Sequence, residues 1–111
     1  MAVSAIVLIP SKNAETTQTT QYTSQNVTTI IDKFTATNYS TTATTISVNL
    51  VSPGGSAGAS NLITVNKTLQ AAETYTFPEI VGHVLAPGGF ISTICGATLA
   101  VSIRASGRQI T

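Results

Sequence analysis

The feature that most constrains this chain is alternation with a period of two. In ATTISVNLV, Ile46, Val48 and Leu50 fall on one face and Thr45, Ser47 and Asn49 on the other. Successive side chains of a pleated strand point to opposite sides, so such a run fits a strand with one face on a core. From Val27 to Tyr39 the pattern recurs, with Phe34 and Ala36 expected inward and Lys33, Thr35 and Thr37 outward. FISTIC sets Phe90, Ser92 and Ile94 against Ile91, Thr93 and Cys95. The last run places Leu99, Val101 and Ile103 inward and Ala100, Ser102 and Arg104 outward.

Turn signals divide these runs. NYSTT is short enough to join antiparallel neighbours, and SPGGSAGAS (Ser52 to Ser60) reads as a surface loop. Leu62, Ile63, Val65 and Leu69 belong to a further strand, and Ala71 to Glu73 make a tight turn into TYTF. Pro78 ends that strand, having no donor for the ladder. PEIVGHVLAPGG has room for one helical turn with proline first, and Gly96 to Thr98 read as a hairpin loop. Val3 to Ile9 is expected to be a buried strand, and the polar SKNAETTQTTQYTSQN an edge strand or extended arm. About eight strands joined by turns every eight to twelve residues predict an all-β fold. The expectation is one antiparallel, jelly-roll-like β-sandwich over residues 1–111, with residues 1–26 as an N-terminal strand or arm. Periodicity leaves the strand order open.

Composition supports this and excludes other classes. The chain has 20 Thr and 11 Ser among 111 residues, 42% hydrophobic and 8% charged, with a net charge of +1. Thr is β-branched and favoured on pleated surfaces. Five scattered bases cannot form the stripe that neutralises phosphates, so direct nucleic-acid binding is not expected. The apolar run Ala2 to Ile9 is too short for a membrane span and lacks the basic start of a signal peptide. The single cysteine, Cys95, precludes a disulfide within the chain.

Residues for chemistry are few. His83 and Cys95 could form a nucleophile–base pair only if folding brings them together. Cys95 in an alternating strand reads as a small buried hydrophobe, and His83 as a residue capping or packing at a strand end. Two Cys and His residues are too few for a zinc site. Glu15, Asp32, Glu73 and Glu79 are too dispersed in sequence for calcium or a paired-carboxylate mechanism. The loop Ser52 to Ser60 lacks the lysine and following helix of a phosphate-binding loop. Sequons at Asn26, Asn38 and Asn66 arise readily in a chain this rich in Thr. No catalytic, cofactor or metal residue is assigned, and no enzyme is expected.

What remains is the missing charge. Free-standing domains keep soluble with interspersed charges and blunt their strand edges with Lys or Pro. Hydroxyl-rich faces could be solvated, but only burial against other subunits also explains the low charge.

The stretches VNLVSPGGSAGASNLI, AAETYTFPEIVGHVLAPGGFIST and AVSIRASGRQIT resemble small all-β virion structural proteins of tailed bacteriophages, over roughly Ile30 to Thr111; Met1 to Thr29 matches less well. The resemblance implies a capsid decoration (cement) protein, commonly a homotrimer, contacting the major capsid protein. It would be made in the host bacterial cytoplasm and carried on the capsid surface, or at the neck or tail. Val3 to Tyr22 would be the segment exchanged with a neighbour or laid on the shell. The alternative is a neck, tail or fibre-associated module whose loops, Ser52 to Ser60 and Phe77 to Gly88, contact tail proteins or host glycans. The family pattern implies no catalytic residues, cofactor, nucleic acid or membrane.

Overall fold

A computed structural model describes residues 2–111. Nine strands follow one another: β1 (Val3–Asn13), β2 (Thr19–Thr23), β3 (Thr28–Asn38), β4 (Thr44–Val51), β5 (Leu62–Leu69), β6 (Thr74–Tyr75), β7 (Val84–Leu85), β8 (Phe90–Cys95) and β9 (Val101–Ile110). They form two antiparallel sheets, β1-β9-β3-β6 with β7 also on β3, and β2-β8-β4-β5. The pairing is nested: β1 with β9, β2 with β8, β3 with β6 and β7, β4 with β5. This is the path of one long hairpin, tipped at β4–β5, rolled so that β9 also meets β3 and β8 also meets β4. The expected sandwich therefore has jelly-roll connectivity, with β6 and β7 sharing one strand position.

Rolling overturns two local expectations. β3 and β4 do not pair across NYSTT, and Gly96 to Thr98 is not a hairpin loop, because each connection crosses between sheets. A short polar turn serves a crossing as well as a hairpin, so length alone could not distinguish them. The turn at Ala71 to Glu73 forms as expected, with Glu73 N–H donating to Gln70 O at 3.1 Å. So does the helical turn after Phe77, whose carbonyl accepts from Val81 N at 3.3 Å.

The core lies between the sheets. Phe34 and Phe77 are fully buried and meet edge to face at 4.8 Å, and Tyr75 extends the cluster at 4.7 Å from Phe77. Strict alternation fails at bulges. In β3 the register shifts between Ile31 and Lys33, so Asp32 and Lys33 both face solvent while Ile31 and Phe34 both point inward. An extra residue on one strand produces this switch. A second shift, between Val7 and Ile9, turns both Leu8 and Ile9 inward.

Two further expectations are corrected. Val3 to Ile9 is not a buried strand: β1 lies at a sheet edge, and Val3 and Val7 remain 58% and 44% exposed. Leu99 is not inward but 65% exposed, and Ala100 is buried instead. Leu99 has a left-handed backbone (φ 52°) at the crossing into β9, which turns its side chain out. Val65 in β5 is 63% exposed, beside left-handed Asn66.

Part of the hydroxyl and amide surface is internal. Ser47, Asn49 and Ser92, on the outer face of the second sheet, are buried. Asn49 Nδ2 donates to Gly58 O and Asn61 Oδ1, while Gln18 Nε2 donates to Asn49 Oδ1 and Ser92 Oγ. The Ser52 to Ser60 loop is thus anchored over that sheet at Gly58. Asn38, one of the three sequons, is fully buried and donates to Thr42 O and Leu69 O. Asn26 and Asn66 have positive φ, 59° and 45°, a conformation that asparagine tolerates better than most residues.

Candidate functional site

The residues considered for chemistry are dispersed. Cys95 is buried opposite Ile46 on β4, and its thiol donates to Ala97 O at 3.4 Å. His83 is exposed just before β7, beside Leu50 and Val51 at the other end of β4. Four residues of strand separate those ends, about 13 Å at 3.3 Å per residue, so no Cys–His pair forms. His83 instead bonds through its backbone, its carbonyl accepting from Ile31 N at 3.0 Å. Among the described residues no three of His, Cys, Asp and Glu gather as metal ligands.

The acids take structural partners. Glu15 pairs with Lys12 at 2.8 Å and accepts from Gln21, and these contacts hold its carboxyl below the ordinary range. Asp32 forms a forked pair with the exposed Arg108. Glu73 Oε1 accepts from Gln70 N and closes its turn. Glu79 accepts from the Thr64 and Tyr75 hydroxyls, and Lys67 Nζ lies 4.6 Å from the centre of the Tyr75 ring. This cluster links β5 of one sheet to β6 of the other.

Burial alone would raise the Glu79 carboxyl, but the Thr64 and Tyr75 hydroxyls, a backbone hydrogen bond and the Lys67 charge together outweigh it and the net shift is downward. The fold therefore favours ionised Glu79. Its contribution is complete above the free-residue value of about 4.3 and fades as pH falls through the lower folded-state value. Melting temperature should drop on acidification from about pH 7 to about pH 3. In Glu79→Gln the drop should be shallower; equal drops would contradict this assignment.

With chemistry dispersed, the informative surface is the first sheet. Its register places Val3, Ala5 and Val7 of β1 beside Ile110, Arg108 and Ser106 of β9, with Ile30 and Val84 continuing the Arg108 row. This outer face is apolar at Val3, Ala5, Val7, Ile30, Val84 and Ile110 and carries Asp32, Lys33, Arg104 and Arg108 between and beyond them. β1 has no strand on its far side, and the run Ala2 to Ser11 contains no ionisable side chain. Pro10 within the strand is the one sequence signal that could have marked an edge, where proline is tolerated.

Two hollows lie elsewhere. One of about 230 Å³ forms where Ser52 and Pro53 meet His83 to Ala86, with Leu50 and Ile63 behind them. The other, about 320 Å³, runs from Asn13 to Thr17 and ends on Thr98 and exposed Leu99. Neither gathers a reactive set. No protein-family model matches the chain, nor does any curated protein or solved structure.

Proposed function

We propose that this chain is a structural protein of a tailed-bacteriophage virion, a capsid decoration (cement) protein that stabilises the head shell. It acts as a homo-oligomer, a trimer, in contact with the major capsid protein. The observation that carries this reading is the open edge of β1, uncharged from Val3 to Ser11, with Val3 and Val7 exposed on it and Val84 exposed across the same face. Apolar patches and unpaired strand edges of this kind mark interaction sites. The resemblance of Ile30 to Thr111 to virion proteins supports a phage shell as the setting. The role needs no catalysis, cofactor, nucleic acid or membrane.

A second reading has its own observation. The loops Ser52 to Ser60 and Phe77 to Gly88 converge on the 230 Å³ hollow, which suits a neck, tail or fibre module that contacts a tail protein or a glycan. The hollow has no aromatic lining for a sugar to stack on, which favours a protein ligand.

Purified protein added to heads stripped of decoration should run as a trimer beforehand and co-sediment with the heads. A monodisperse monomer that leaves heads unlabelled would overturn the decoration reading. Binding confined to tails or to one vertex would replace it with the second.

A further inference from the structure

The hydrogen-bond phase of β1 determines what its open edge can accept. Ala2 and Thr111 exchange both backbone bonds, Ala2 N to Thr111 O at 3.4 Å and Thr111 N to Ala2 O at 3.0 Å. In an antiparallel ladder bonded and non-bonded pairs alternate. Ser4 opposite Gln109 and Ile6 opposite Gly107 therefore also bond toward β9, while Val3, Ala5 and Val7 turn their N–H and C=O groups outward. The β3 side gives the same phase: Ile31 bonds outward to Gly82 N and His83 O, leaving Ile30 to bond to Arg108. Beyond Val7 the register shift and Pro10 interrupt the edge.

We infer that this edge pairs with the same edge of a second copy, antiparallel about Ala5, so that Val3, Ala5 and Val7 face Val7, Ala5 and Val3 of the partner. Three observations favour a second copy over a foreign strand. The outward groups are spaced symmetrically about Ala5, so a two-fold axis there satisfies all three residues of both copies. Registers centred on Val3 or Val7 would run past the strand start or into the bulge and leave groups unpaired. With no charge between Ala2 and Ser11, no like charges meet across the axis. On the outer face the exposed side chains of Val3 and Val7 would cover one another as cross-strand neighbours.

An isologous contact closes after two copies. Within a trimeric decoration protein it would join one trimer to the next where they lie side by side on the shell, the single trimer being the unit in solution. The inference thus rests on the assembly reading and names the partner of one part of that surface.

Disulfide trapping tests the register. Opposed residues in a bonded antiparallel pair have Cα atoms about 5.5 Å apart, within the span a disulfide bridges. On heads decorated with the variants, under mild oxidation, Ala5→Cys should cross-link to a covalent dimer at least tenfold faster than Val3→Cys or Val7→Cys alone. A mixture of the Val3→Cys and Val7→Cys proteins should cross-link as hetero-pairs. The native Cys95 is buried, so the unsubstituted chain serves as the blank. Equal rates at all three positions, or no dimer from Ala5→Cys, would overturn the inference. If those proteins still bind heads, the decoration reading survives that failure; if they do not, both fall.

Discussion

Gly107→Ala should cost about 4 kcal/mol or more, the range reserved for severe substitutions, and a large part of a domain stability of roughly 5–15 kcal/mol. Gly107 sits in β9 between Ile6 of β1 and Ile31 of β3. A Cβ there would land on the Ile30 carbonyl oxygen and lie 3.0 Å from Leu8 Cδ1. The side chain of Leu8 could turn aside, but the carbonyl belongs to the ladder joining the two central strands. Relief therefore requires β9 and β3 to separate, which weakens the pairing that closes the roll. Gly58→Ala is the control, since a Cβ at Gly58 meets nothing within 4 Å; it should stay within about 0.5 kcal/mol of the parent. Urea unfolding of the two variants beside the parent measures both effects. A Gly107→Ala protein as stable as Gly58→Ala would show that the first sheet is assembled differently.

Phe34→Ala should lose about 3–5 kcal/mol, the usual cost of removing a buried phenyl ring. Phe34 is fully buried on the first sheet, and its partner Phe77 lies on the turn that leads to β7. Phe77 holds a left-handed backbone, φ 45°, which costs a non-glycine residue of order 1–2 kcal/mol. The ring contact helps keep that turn in place. Loss of Phe34 should therefore also loosen Phe77 to Gly82, seen as faster amide exchange at Gly82, whose N–H donates to Ile31 O at 2.7 Å. Destabilisation below about 1.5 kcal/mol, the scale of a mild core change, would contradict this placement of the aromatic cluster.

Much of the fold is legible in the chain because it depends on local chemistry. Ile46, Val48 and Leu50 alternate and face the core; proline and the Ala71 to Glu73 turn interrupt the strands where expected. Other features depend on tertiary partners. The nested strand order follows from how the hairpin rolls, which no short window encodes, so NYSTT and Gly96 to Thr98 read as hairpins. Asp32 breaks alternation through a bulge that depends on β9. The apolar run of β1 resembles a central strand, and only Pro10 hints at an edge. The polar face of the second sheet reads as covered by other subunits, yet Asn49 and Ser92 are covered by the chain's own loop and Gln18, and Ser47 by Asn66 of β5. The polar surface therefore divides in two: amides and hydroxyls satisfied internally on the second sheet, and on the first an uncharged edge from Val3 to Ser11 beside an outer face that carries Asp32, Lys33, Arg104 and Arg108. On the proposed reading, the uncharged edge of β1 is the part of this surface that calls for a partner.

The most direct test of the central claim is the location and copy number of the chain on intact virions, measured by quantitative labelling of purified particles. Decoration predicts signal over the whole head at hundreds of copies per particle. Signal restricted to one vertex or the tail, at a handful of copies, or no signal on virions, would contradict it.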